Sequence, residues 1–366
     1  MTKKVIFTIV TKNHISYAQV LYSCLLKNSK NIDFYTILAD ELDVCIDVNE
    51  YPFPIISYKK ILDKNLSKRM TGYYTAYEFC NSLKPFVHNY FLHVVGVTES
   101  LYLDCDIYIT GDVDMLFNEF ENASIVLSPH LTNVGCQSNL TEEIEPKLLR
   151  MGVYNGGCLL VRKCEESLTF LKWWMSRLQW YCLHLGPGIE VDQSWLNFAP
   201  SYCPNSKVSR IEGANIAYWN AHQRSVNYNK ISGYTVEDEP VIFFHLSKWN
   251  WKEPTRLTPW DQYNPRADDD VWQKILCEYA ELLASCDIEE TSKLTYYFCK
   301  SVDGSIITDK MRRKFLNYMK ANDKSDIDIF TSPQLFRENE KDIYSLSEKI
   351  GSRYSKFKRF LNISGK

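Results

Sequence analysis

The stretch that decides the fold is Leu101-Tyr102-Leu103-Asp104-Cys105-Asp106-Ile107-Tyr108. The apolar run Leu101–Leu103 reads as the end of a buried strand. It runs into two carboxylates spaced i and i+2. On an extended chain such residues share one face, so Asp104 and Asp106 are expected on the same side, with Cys105 turned away. Two carboxylates aimed at one point repel unless a cation sits between them, and oxygen ligands suit Mg²⁺ or Mn²⁺. Two solvated turn aspartates fit the same pattern, and the D-x-D by itself does not choose between the readings.

Working outward, Lys4–Thr11 is an unbroken β-branched run fit for a central parallel strand. Asn13–Leu26 has helical spacing at Ile15, Ala18, Leu21, Tyr22, Leu25 and Leu26, and Ile32–Asp40 is a second strand. Strand, helix and strand in about forty residues form a right-handed βαβ unit. Its sheet is parallel, and such sheets bind ligands beyond the carboxyl ends of their strands. Thr11, Lys12, Asn13 and Asp40 stand at those ends. Neither G-x-G-x-x-G nor G-x-x-x-x-G-K-[ST] occurs there, which excludes a dinucleotide fingerprint and a Walker loop.

A proline-bearing edge strand is expected at Tyr51–Tyr58. A helix over Gly72–Phe91, kinked at Pro85, carries Glu78 and Lys84. Beyond the D-x-D come a helix at Asp112–Phe120, a strand at Ser124–Ser128 and a helix over Thr141–Met151. Tyr154-Asn155-Gly156-Gly157 leads into the buried strand Cys158–Val161. The two glycines let a ligand approach the backbone, or make an ordinary turn. A helix over Cys164–Tyr181 follows, and its aromatics have core spacing. After Gly186-Pro187-Gly188, Asp192 and Gln193 stand at a helix start, either to grip a ligand or to favour the helix dipole. Asn215–Arg224 mixes aromatic and polar groups as a carbohydrate surface would. His245 and Lys248 leave an apolar strand at Pro240–Phe244.

The chain has 366 residues, 45% hydrophobic and 24% charged, with 24 Tyr, 18 Phe and 9 Trp. That is the composition of a soluble globular protein of one or two domains. A net charge of -3 gives no field for nucleic acid. Twelve cysteines without a C-x-x-C pair read as reduced thiols in a cytoplasmic protein. Neither a leader nor a membrane-spanning run is evident. The best subdomain boundary is the Pro- and Asp-rich bridge at 259–270. The basic, aromatic end, from Lys341 to Lys366, suits either peripheral contact with an anionic inner membrane face or an ordinary surface helix.

Taken in order, these motifs resemble the GT-A glycosyltransferases, in particular family 8-type bacterial enzymes of polysaccharide and lipopolysaccharide synthesis. The resemblance covers about residues 4–262. It is carried by Thr8–Asn13, Glu78–Phe86, Tyr102–Asp106, Ser128-Pro129-His130, Gly152–Gly157, Val191-Asp192-Gln193, Ala217–Asn220 and Phe243–Ser247. It implies a Rossmann-like α/β fold, a mixed and mainly parallel sheet flanked by helices. Residues 1–262 would form the nucleotide-sugar transferase domain, and 263–366 a helical C-terminal extension, membrane-surface or acceptor-side.

By the same resemblance Thr8, Thr11 and Asn13 lie near the base and ribose of a nucleotide diphosphate sugar. Asp104, Asp106 and His245 hold Mn²⁺ or Mg²⁺. Lys84 and Lys248 approach the diphosphate, and Asn155, Asp192 and Gln193 surround the sugar. The family has glycine where this chain has Lys248, which leaves Lys252 as the alternative cation. The implied activity is hexose transfer, UDP-linked and retaining, to a surface polysaccharide or lipid-linked oligosaccharide. The alternatives are a sugar-phosphate nucleotidyltransferase, against which the missing glycine-rich loop argues, and a catalytically silent carbohydrate-binding relative.

Overall fold

The structure, a computed structural model, describes residues 3–30, 33–42, 46–134, 138–184, 188–264, 269–322 and 325–337. Gly186-Pro187 and the basic end from Lys341 onward lie outside the described residues.

Eight strands are β1 (Lys4–Val10), β2 (Asp33–Leu38), β3 (Ile55–Ser57), β4 (Glu99–Leu103), β5 (Ile107–Ile109), β6 (Ile125–Pro129), β7 (Tyr154–Arg162) and β8 (Ser206–Val208). All but β5 form one seven-stranded sheet in the order β3-β2-β1-β4-β7-β6-β8. Pairing is parallel from β3 to β4, while β7 runs antiparallel to both neighbours. This is the mixed, mainly parallel sheet flanked by helices that the sequence leads one to expect. Strand β1 is central because residues 5–10 are all apolar or Thr, and all six are buried. Proline-flanked β3 takes the edge.

Two smaller sheets follow. One joins β9 (Val226–Asn229), β10 (Gly233–Val236) and β11 (Glu239–Pro240), and the other pairs β12 (Phe243–His245) antiparallel to β5. The register His245↔Ile107 sets the histidine beside the residue that follows Asp106.

The helices are α1 (Ile15–Asn28), α2 (Lys64–Tyr73), α3 (Ala76–Asn89), α4 (Asp114–Asn118), α5 (Asn139–Met151), α6 (Glu165–Tyr181), α7 (Gln193–Leu196), α8 (Ala199–Tyr202), α9 (Asp270–Ala284), α10 (Ile288–Thr291) and α11 (Asp309–Ala321). The helix expected over Gly72–Phe91 is α3 from Ala76, and a separate helix, α2, precedes it and ends at Tyr73. Thr75 caps Glu78 N–H while the Glu78 carboxylate accepts from Thr75 N–H, and this capping box starts α3 afresh. Pro85 is carried inside α3, and a π-turn at Tyr90–Val95 follows. Helix α6 buries Phe170, Leu171, Trp174 and Leu178, and Tyr74 Oη donates to Leu178 O at 2.6 Å.

The chain forms two compact units, Met1–Tyr297 and Phe298–Lys366. The division falls later than the bridge at 259–270, because α9 buries Trp272, Ile275, Leu276, Tyr279 and Leu283 in the same core as β5 and β12. In the second unit α11 buries Met311, Phe315, Leu316 and Met319, and the Phe315 and Phe336 rings meet edge to face at 5.1 Å. Among the described residues no helix is long and apolar enough to cross a membrane.

Candidate active site

Strand β4 delivers Asp104 at its carboxyl end. The Asp104 N–H donates to Gly157 O at 2.8 Å, and Leu246 N–H donates to Asp106 O at 3.0 Å. Asp104-Cys105-Asp106 is therefore a turn between β4 and β5, pinned by β7 on one side and the end of β12 on the other. The two carboxylates converge as expected, but the turn brings them together, not an extended strand. Cys105 packs against the core and also contributes to the cavity wall, so it is not simply turned away.

His245 Nε2 lies 3.2 Å from Asp106 Oδ1 and 3.6 Å from Asp104 Oδ2. One ligand atom from each of Asp104, Asp106 and His245 lies within 4.8 Å of the others. Burial disfavours the His245 cation, yet Asp106 and Asp104 outweigh it and raise its pKa. Burial likewise opposes ionisation of Asp106, and His245 outweighs it, holding Asp106 below the usual carboxylate range. His245 Nδ1 faces Asn215 Oδ1 at 3.1 Å. Asn215 Oδ1 accepts a hydrogen bond from Nδ1, and Nε2 is the ring nitrogen turned toward the carboxylates, the one a cation would take. Two carboxylates and an oriented imidazole suit a divalent cation. The backbone leaves room for this cluster: a Cβ on Gly157 would sit 2.4 Å from His245 Cε1 and 2.5 Å from Asp104 Oδ2.

A second polar cluster adjoins it. Lys84 on α3 is buried, and its ammonium donates to Gly156 O at 2.8 Å and Asp192 Oδ2 at 3.0 Å, 3.8 Å from Asp104 Oδ1 and 4.6 Å above the Tyr102 ring. Burial opposes its charge, but Asp104 and Asp192 together raise its pKa. Burial pushes the Asp192 carboxyl up to about 6 in spite of Lys84. A Cβ on Gly156 would lie 2.5 Å from Asp192 Oδ2. The Gly156-Gly157 pair thus admits this protein's own carboxylates and histidine to the backbone. Gln193 Oε1 accepts from Gly156 N–H at 3.2 Å and Asn155 Nδ2 at 3.4 Å, and its own amide nitrogen donates to Met151 O.

These groups line one cavity of about 940 Å³ at the strand ends. Thr11, Lys84, Asp104, Asp106, Asn155, Asp192, Gln193, His245 and Lys248 all stand on its wall. Thr8 does not: it is fully buried inside β1, short of the strand end. Asn13 sits one shell back, accepting from Thr11 Oγ1 at 2.7 Å. Lys248, not Lys252, is on the wall, with its ammonium 5.6 Å from the Tyr77 ring centre. Its φ of 67° is left-handed, which explains why glycine suits that position in the resembling family. Sequence reading missed the orienting role of Asn215 and the tie of Tyr77 to Glu190, in which Tyr77 Oη donates at 2.9 Å. Asn215 lay in a stretch notable for mixed polar and aromatic residues, whereas nothing local joins Tyr77 to a residue 113 positions away.

No protein-family model and no curated protein matches the chain. Solved structures do resemble it. The glycosyltransferase GlyE of Streptococcus pneumoniae TIGR4 is 16% identical, with 81% of this chain and 66% of that one covered and a TM-score of 0.44. The galactosyltransferase LgtC, solved with donor and acceptor sugar analogues, is 14% identical over 77% of this chain and 95% of its own, with a TM-score of 0.46. The bifunctional WbbM is 10% identical, with 76% and 51% covered and a TM-score of 0.43. The chain thus spans about two thirds of the length of GlyE and half that of WbbM.

Proposed function

We propose that this protein is a metal-dependent glycosyltransferase that moves a hexose from a nucleotide diphosphate sugar, UDP-linked, to a hydroxyl of a surface polysaccharide or lipid-linked oligosaccharide. The observation that carries the reading is the convergence of Asp104, Asp106 and His245 on the wall of the strand-end cavity.

Asp104, Asp106 and His245 would hold Mn²⁺ or Mg²⁺, and the ion's charge offsets the charge gathering on the departing diphosphate. Thr11, with Asn13 behind it, binds the nucleoside end, and Lys248 attracts the phosphates. Gln193, held by Gly156 and Asn155, presents a carbonyl dipole where the anomeric carbon becomes oxocarbenium-like. The bond from the anomeric carbon to the phosphate oxygen breaks, the bond to the acceptor oxygen forms, and the acceptor proton passes to the leaving phosphate oxygen.

Retention of configuration is the better reading of the reaction. An inverting route needs a free carboxylate base, and Asp192 is buried against Lys84. Donor screening with Mn²⁺, reading released nucleoside diphosphate, tests the proposal, and NMR of the product's anomeric configuration tests retention. An Asp104→Ala/Asp106→Ala double variant is expected to lose at least 100-fold in turnover, in line with the loss of about 2.7–4 kcal/mol of transition-state stabilisation. Full activity in that variant would sink the idea.

A further inference from the structure

The cavity continues past the carboxylates. Part of its wall is an aromatic group, Tyr218, Trp260 and Tyr263, together with Lys147 of α5. The Tyr218 ring lies 5.4 Å from that of Trp260 and 5.7 Å from that of Tyr263. Tyr218 also meets Trp219 at 5.0 Å, and Trp219 meets His245 at 5.2 Å, so contiguous rings lead from this wall to the metal-ligand cluster. Trp260 is 43% exposed, so its ring stands at the rim, while Tyr263 is buried.

Lys147 Nζ donates to Tyr263 Oη at 3.0 Å and lies 5.3 Å from that ring's centre. Tyr263 Oη donates in turn to Glu143 at 3.2 Å. No carboxylate among the described residues lies within ion-pair distance of Lys147. Lys84 differs: that ammonium is buried, paired with Asp192 and flanked by Asp104, whereas Lys147 is exposed and reaches Glu143 only through the Tyr263 hydroxyl. An exposed cation on the cavity wall, with no carboxylate in ion-pair distance among the described residues, favours an anionic ligand. A partly exposed flat ring beside it favours the C–H face of a sugar, as aromatic rings bury apolar area with little loss of side-chain entropy.

We propose that the Tyr218–Trp260–Tyr263 wall with Lys147 is a subsite for an acidic glycan, its sugar ring against Trp260 and its carboxylate or phosphate on Lys147. Under the glycosyl-transfer reading, on which the word acceptor alone depends, that glycan is the acceptor.

The test measures binding of three probes to the full chain by calorimetry at 50 mM salt: methyl glucoside, methyl glucuronide and methyl glucoside 6-phosphate. At least one acidic probe is expected to bind at least tenfold more tightly than the neutral one, and the tighter of the two identifies the anion as carboxylate or phosphate. Lys147→Gln is expected to abolish the preference and Lys147→Arg to keep it, while Trp260→Ala weakens all three probes. Equal affinity for the three probes in the parent protein, or a preference that survives in Lys147→Gln, would overturn the proposal. Donor turnover with Mn²⁺ is read separately on the parent. Its absence beside an intact acidic preference removes the transferase reading and leaves the subsite; turnover without the preference does the reverse.

Discussion

At the scale of single residues, the site depends on backbone that carries no side chain. Gly157 leaves the space that His245 and Asp104 occupy, and a methyl there would meet both below 3 Å. Gly157→Ala is therefore expected to weaken Mn²⁺ binding at least tenfold with an unchanged far-ultraviolet circular dichroism spectrum, and unaltered metal titration would contradict this. Lys248 presents the opposite case, a bulky residue in a left-handed conformation. Such a conformation costs about 1–2 kcal/mol for a residue with a Cβ, a cost consistent with a ligand-facing role. Lys248→Gly should hold or raise the melting temperature, and should weaken nucleotide-sugar binding about tenfold by removing a charge worth about 1.4 kcal/mol. A simple loss of stability with unchanged donor affinity would refute the role given to Lys248.

Between elements, the Lys84–Asp192 pair joins α3 to the start of α7, and Gly156 O ties both to β7. Removing one partner strands the other charge in the interior. Lys84→Met is thus expected to destabilise by about 3–5 kcal/mol, with Lys84→Met/Asp192→Leu recovering much of the loss in urea unfolding. The pair also sets a pH dependence. Asp192 has its folded pKa raised to about 6 from an ordinary 3.8. Its contribution to stability is complete below about 3.8 and is lost as pH rises through about 6. Between pH 4 and pH 7 the stability of the parent relative to Asp192→Asn should fall by roughly 2 kcal/mol, at about 1.36 kcal/mol for each unit between the two pKa values. A constant difference would show that Asp192 is not held in this way. The elements themselves were largely legible: β1 as an apolar run, β3 as a proline-flanked edge, α6 from its spacing. The division of α2 from α3 was not foreseen, because the capping box at Thr75 and Glu78 interrupts a stretch whose apolar periodicity runs on.

Across the whole molecule, the cysteines of the described residues range from buried in the core to exposed. All ten in the described residues are free, and Cys24, Cys158, Cys182 and Cys203 are buried. Burial pushes the thiol of Cys158 up to about 12 and that of Cys24 to about 11. Cys277 is the exposed one among them. Among the described cysteines, a thiol reagent at neutral pH should label Cys277 first and the buried set only on unfolding. Peptide mapping that finds Cys158 or Cys203 labelled in the native protein would contradict this packing. What the sequence by itself determined was the α/β class and the strand-end location of the polar groups, because apolar runs fix strands and a strand's end fixes where its next polar residues emerge. Joining His245 to Asp104 and Asp106 rested on the resemblance to the GT-A glycosyltransferases. Which cation reaches the cavity, that the D-x-D is a turn, that Asn215 orients His245 and that Asp192 is locked to Lys84 were decided by tertiary structure alone. Those facts depend on contacts between residues far apart in the chain, such as Lys84 with Asp192, 108 positions on, and no local pattern encodes them.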